Sequence, residues 1–175
     1  PHPALVLISG SGAQNRDEEL FGFKPFALLA DHLTRQGIAV LRYDDRGIGG
    51  STTGTGADTS ETYAGDVAAA VGFLKGRAEI DGAAIGLLGH SEGGIIAPMV
   101  AVESPDVAFI VLMAGPGTPG SAVLAEQSRL ILKASGADEA TVAAQGALQD
   151  QVIAAAISGE GWEPLRAELN RQFVE

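Results

Sequence analysis

The chain has 175 residues, 46% of them hydrophobic, a formal net charge of −11 and a pI near 4.6. That is enough apolar material for one domain with a real core and a small appendage, and its negative field argues against nucleic acid or an anionic membrane as partner and suits a small neutral substrate. Without cysteine there is no disulfide framework and no thiolate chemistry, and His2, His32 and His90 are too few for a histidine-based metal cluster, so no metal is expected.

The chain opens on Pro1 with no charged-then-apolar leader, and no apolar run reaches the roughly 18 residues a membrane span needs. Compartment and oligomeric state stay open. The first apolar run, "ALVLIS" at 4–9, is continuous rather than alternating, as in a strand covered by helices on both faces. "SGSGAQNRDEE" at 9–19 follows it, a glycine-flanked loop whose backbone N–H groups can point inward. A dinucleotide-binding loop would need its third glycine where Asn15 stands. On the plainer reading this is a structural turn with Asn15, Arg16, Asp17 and Glu18 as its solvated rim.

A helix is expected over 24–36 with Pro25 near its start, then a second strand, "IAVLRY", at 38–43. In "YDDRGIGGS" at 43–51, Asp44, Asp45 and Arg46 carry both charge signs on one turn and are read as structural, tied by hydrogen bonds and an ion pair. The polar "DTSE" opens a second helix over 59–75, and "AIGLLG" at 84–89 gives a third strand.

"GHSEG", Gly89 to Gly93, then matches G-x-S-x-G between an apolar run and a helix over 93–103. A tight turn holds such a serine in strained backbone geometry, and the flanking glycines let strand and helix approach without a Cβ clash, so the Ser91 hydroxyl stands clear of the sheet. The alternative is a glycine-rich turn with an exposed serine. In the hydrolase arrangement one oxyanion donor is the N–H of the next residue, Glu92; the other comes from the first loop, Ser11 by preference and Gly12 second. Pro98, inside the third helix, is expected to kink it or shift its hydrogen bonds.

A fourth strand, "VAFIVLM" at 107–113, ends in "AGPG", and a Gly- and Pro-rich linker at 116–120 leads into helices over about 121–135, 138–157 and from 162 onward. Strand then helix, repeated three times, describes a parallel sheet with right-handed crossovers. Leu124, Leu130, Ile131, Val142, Leu148, Val152, Ile153 and Ile157 fall near helical spacing and read first as helix packing, and Trp162 is a candidate pocket wall.

"VLISGSGAQNRDE", "YDDRGIGGS", "GLLGHSEGGIIAP" and "FIVLMAGPG" stand in the order and at the separations found in bacterial α/β-hydrolase-fold esterases. Over residues 3–120 the chain resembles these serine hydrolases, relatives of the prolyl-oligopeptidase and dienelactone-hydrolase-like groups. The resemblance implies a three-layer α/β fold with a mostly parallel sheet, residues 1–116 as the N-terminal part of the core and 117–175 as the start of a helical cap inserted after the strand at 107–113. The first three strands would be the third, fourth and fifth of that fold. It makes Ser91 the nucleophile, Glu92 and Ser11 the oxyanion donors, and implies no cofactor.

A serine nucleophile needs a base oriented by an acid, in the chain order serine, acid, histidine. No histidine follows Ser91, and Asp106, Asp138 and Asp150 lie before the fourth strand or on the cap helices. His90 should point away from the elbow, His32 lies on the first helix and His2 at the start. The strand at 107–113 would also be an uncovered apolar edge, and "PLRAELNRQFVE" at 164–175 shows no helix cap. The expectation is that acid and base are not in this chain but in a missing C-terminal part, with further strands. The expected activity is hydrolysis of small to medium carboxylic esters through an acyl-enzyme on Ser91. A peptidase or thioesterase of the same fold, and a non-catalytic ligand-binding module, are the alternatives.

Overall fold

The computed structural model describes Pro1 to Val174; Glu175, the last residue of the stretch read as an uncapped helix end, lies outside the described residues. The chain divides into two compact units, Pro1–Pro116 and Gly117–Glu175. No helix among the described residues is long and apolar enough to cross a membrane.

In the first unit, β1 (His2–Ile8), α1 (Pro25–Arg35), β2 (Ala39–Leu41), α2 (Ser60–Lys75), β3 (Ile80–His90), α3 (Gly93–Glu103) and β4 (Phe109–Met113) alternate along the chain. The four strands form one parallel sheet in the order β2-β1-β3-β4. The continuous apolar runs have a direct cause in this layering. Ala4, Val6 and Ile8 of β1 pack with Ile85 and Leu87 of β3 against Val67 and Val71 of α2 and Ile96, Ala97 and Val100 of α3. Leu5, Leu7 and Leu88 point to the opposite face, onto Phe26 of α1. Each fully buried side chain of this kind stabilises the unit by about 1.5–3 kcal/mol, so both strand faces had to be apolar.

Several boundaries differ from expectation. The second strand keeps only Ala39–Leu41, because the turn that follows uses Asp44 and Asp45 to hold another loop. The third begins at Ile80 rather than near 84, and a register shift between His2 and Ala4 absorbs the extra length against β1. Helix α2 opens on Thr59, whose side chain accepts from Thr62 N–H while Thr62 Oγ1 accepts from Thr59 N–H, a reciprocal cap. Helix α3 continues through Pro98 without ending there.

The second unit holds α4 (Gly120–Ala134), α5 (Glu139–Ser158) and α6 (Trp162–Val174). Asp138 caps α5 by accepting from Thr141 N–H at 2.7 Å, and Gly159 ends it in the left-handed conformation. Val142, Ala155 and Leu165 are buried. The apolar stripe does not pack throughout: Leu124, Leu130, Ile131 and Ile157 all stay more than half exposed. Trp162, the candidate wall residue, opens α6 and is partly exposed.

Candidate active site

The junction of β3 and α3 is built around missing side chains. A Cβ on Gly89 would overlap the carbonyl of Gly93 and lie 2.7 Å from the Gly94 nitrogen; one on Gly93 would run into the carbonyls of Ile8 and Ser9; one on Gly94 would stand 2.5 Å from Gly115 Cα. Strand, helix and the end of β4 therefore approach at backbone distance. Between these glycines Ser91 takes φ +52°, left-handed backbone that a non-glycine residue adopts at a cost of about 1–3 kcal/mol. Its N–H donates to the Met113 carbonyl at 3.0 Å, and its carbonyl accepts from Gly94 N–H at 2.9 Å. The strain is held from both sides.

Glu92 follows as the N-cap residue of α3. Its carboxylate accepts from Ser60 Oγ at 2.6 Å, which ties the starts of α3 and α2 together. Its N–H meets no acceptor among the described residues, in keeping with the open N–H groups of a helix start.

The loop over 9–19 lies against this turn. The position a Cβ would take on Gly10 is 3.2 Å from Ser91 Cβ. Ser11 and Gly12 are exposed, and neither N–H has an acceptor among the described residues. Gly12 has φ +92° with open space around it, so the backbone bend rather than crowding calls for glycine there. Of the residues expected at the site, Ser91, Glu92, Gly89, Gly93 and the stretch leading into Ser11 thus share one corner, at the C-terminal ends of β1 and β3.

Asp44 and Asp45 hold that loop. Asp44 accepts from Arg16 N–H (2.8 Å), Arg16 Nε (3.1 Å), Arg16 Nη2 (2.6 Å) and Gly50 N–H (3.0 Å). Asp45 accepts from Gln14 N–H at 2.9 Å and from Ser9 Oγ, while its own N–H donates to the Gln14 carbonyl. Both aspartates are buried, so their part is structural. The Arg16 side-chain bonds, helped by the two N–H groups, hold the Asp44 carboxyl well below the usual carboxylate range, whereas burial pushes Asp45 up. Arg46 pairs with Asp66 through Nε and Nη2.

These directions set a pH test. A depressed carboxyl contributes stability that is complete above its unfolded value, near 4, and is lost as pH falls below it; the raised Asp45 works in the opposite sense. Asp44→Asn should therefore lower the thermal midpoint on the order of 5 °C at pH 7, with the gap to wild type closing as the pH drops below about 4. Melting curves on both proteins across pH 2–7 check this, and a gap that does not narrow in acid would refute it.

The charged run Asn15 to Glu18 is a solvated rim only in part: Arg16 stays exposed, but the run is tied down and Glu18 is buried. Asn15 Oδ1 accepts from Asp17 and Glu19 N–H, Arg16 is spent on Asp44, and Asp17 pairs with Arg42 and Lys24. Glu18, at φ +51°, turns inward and is buried. One of its oxygens meets Gly10 N–H at 2.6 Å and His90 Nδ1 at 2.7 Å. Only the order of residues was visible beforehand, and no local spacing links position 18 to position 90. The other histidines sit elsewhere: His2 bonds the Gly37 carbonyl, and His32 is exposed on α1. Asp106 pairs with Lys75 and Asp138 caps α5.

Comparison with known proteins adds to this geometry. Residues 23–147 match the family model described as serine aminopeptidase, S33. Esterase EstD of Thermotoga maritima is 32% identical over 131 residues, 75% of this chain and 31% of that protein. An uncharacterized protein of Mycobacterium tuberculosis is 35% identical over 109 residues, 62% of this chain and 35% of its own length. This chain thus spans about a third of the length of these curated relatives. Among solved structures, the α/β hydrolase GrgF from Penicillium sp. sh18 aligns with a TM-score of 0.58 at 25% identity, covering 76% of this chain and 44% of that one. The Pyrococcus furiosus esterase Pf2001 aligns with a TM-score of 0.60 over 81% of this chain and 52% of that one; at 20% identity it speaks for the fold alone.

Proposed function

The chain belongs to the serine aminopeptidase S33 family of α/β hydrolases, and on that footing we propose that it supplies the nucleophile and oxyanion hole of a carboxylic-ester hydrolase. The observation that carries the reading is Ser91 at φ +52° in a turn that Gly89 and Gly93 allow to close at backbone distance. Strained backbone at a hydroxyl, secured by one bond to the end of β4 and one from the first turn of α3, is what presenting a nucleophile requires and what a plain connecting turn does not.

In this mechanism Ser91 Oγ attacks the ester carbonyl carbon as its proton passes to a base. The negative charge that forms on the carbonyl oxygen is received by the N–H groups of Glu92 and Ser11, with Gly12 as the alternative second donor. The tetrahedral species collapses, the alcohol leaves with the proton from the base, and an acyl ester remains on Ser91. Water, deprotonated by the same base, then attacks that ester and releases the acid.

We place the acid and the base outside these 175 residues, in a further C-terminal part of the same protein. Two observations support that placement. None of the three histidines bonds Ser91 among the described residues. Phe109, Ile110, Val111 and Leu112 of β4, at the sheet edge, are 37–48% exposed, an apolar row that further strands would cover. The helical unit from Gly117 is proposed as the start of a cap domain. The description of the family favours a second reading, a peptidase with the same nucleophile; the esterase relative favours the first.

The test is covalent. A fluorophosphonate added to the full-length protein should attach once, on the tryptic peptide spanning 78–129, and fragmentation should place the adduct on Ser91. Labelling of another residue, or of none, would overturn the assignment. Hydrolysis rates on p-nitrophenyl esters against aminoacyl p-nitroanilides then separate ester from peptide preference.

A further inference from the structure

Glu18 is expensive where it stands. It holds left-handed backbone at φ +51°, its side chain is 8% exposed, and Oε2 is buried without a hydrogen-bonding partner from the described residues. Leaving a buried polar atom unpaired costs about 1–3 kcal/mol, more for a charged group. A loop that only needed to be pinned is already pinned by Asp44, Asp45 and Asn15. The cost therefore calls for a purpose at the place where the carboxylate does make contact.

That place is the seam of the oxyanion hole. Glu18 Oε1 accepts from Gly10 N–H at 2.6 Å, one residue before Ser11, and from His90 Nδ1 at 2.7 Å, one residue before Ser91. An ionised carboxylate only accepts, so His90 donates through Nδ1–H. Both bonds are short and charge-assisted, and both converge on a single oxygen. The same corner is closed sterically, since a Cβ on Gly10 would lie 3.2 Å from both Glu18 Oε1 and Ser91 Cβ and 3.4 Å from His90 Nδ1.

We propose that Glu18 is a positioning residue for the oxyanion hole: its buried carboxylate clasps Gly10 N–H and His90 Nδ1–H together and so sets the spacing between the loop carrying Ser11 N–H and the turn carrying Ser91 and Glu92 N–H. It touches no reacting atom. It acts by keeping two donors, contributed by loops some 80 residues apart in the chain, aimed at one point. His90 is the second half of the clasp, which is why its ring faces Glu18.

This inference rests on the esterase reading above, and the experiment separates the two. In the full-length protein, Glu18→Ala should lower kcat per titrated site about 100-fold on p-nitrophenyl acetate with KM within about threefold. Affinity for a trifluoromethyl ketone, which forms an oxyanion on the serine, should fall by the same factor. Because both donors use one oxygen, Glu18→Gln keeps the acceptor and should recover most of the loss, to within about tenfold of wild type. His90→Ala, which leaves the Gly10 bond, should cost about tenfold and decides the matter if Glu18→Ala does not fold. A purely structural role would lower the melting temperature and the titratable fraction while leaving kcat per site and ketone affinity unchanged, and that result overturns the proposal. Ser91→Ala is run alongside: persistent turnover there removes the esterase reading and this inference with it, whereas a dead Ser91→Ala beside a normal Glu18→Ala removes this inference alone.

Discussion

Alanine at Ser91 is expected to lower kcat of the full-length protein toward p-nitrophenyl esters by about five to six orders of magnitude, the scale on which loss of a serine nucleophile is felt in enzymes that act through one. KM should change little, because the missing hydroxyl contributes to bond making rather than to holding substrate. Folding should survive. Alanine fits the space of serine, the bonds from Ser91 N–H to Met113 and from Gly94 N–H to the residue 91 carbonyl are backbone bonds, and the left-handed strain is the same for both side chains. Rate and melting temperature measured on the same preparation make the prediction sharp: a lost rate with an unmoved midpoint supports a nucleophile, whereas a retained rate removes Ser91 from the chemistry altogether.

The second large effect is on stability. Gly89→Ala is expected to destabilise the first unit by about 4 kcal/mol, at the upper end of what single substitutions do. Its Cβ would fall on the Gly93 carbonyl and close on the Gly94 nitrogen, both backbone, so no rotamer change relieves it. Nor can the strand step aside, since Gly89 is paired with Ile8 on one side and Leu112 on the other. Gly12→Ala is the control. That position has positive φ, which Gly89 does not, and nothing within 4 Å, so it bears only conformational strain, on the order of 1 kcal/mol. Urea unfolding of the two variants should separate them clearly, and equal midpoints would show that crowding at the elbow is not what demands glycine.

How much of this could be read from the residues follows from the range of the forces involved. The sandwiched sheet was legible because burial on both faces leaves continuous apolar runs, and "ALVLIS" and "AIGLLG" are direct imprints of it. Helix starts were legible where capping is local, as at Thr59 with Thr62. The strand expected over 38–43 came out shorter because the chain leaves the sheet after Leu41 toward the turn whose Asp44 and Asp45 hold the loop over 9–19, and nothing within 38–43 records those partners. Asp44 and Asp45 were read as structural from their mixed-sign turn, but the loop they secure was not foreseen. Glu18 was misread for the same reason. Its neighbours Arg16, Asp17 and Glu19 make it look like one more surface charge, and its partner His90 lies 72 positions along the chain.

The corner around Ser91 is stitched from residues 8–18, 44–45, 89–94 and 113–115, and the stitches that join one segment to another each cross more than twenty positions. Local order therefore cannot assemble it in advance. Contacts of such long sequence separation are entropically slow to make, and the strained turn at Ser91 gains its acceptor, the Met113 carbonyl, only once β4 has docked beside β3. The strained geometry at Ser91 is thus expected late in folding, and a partly folded chain carries the serine without it.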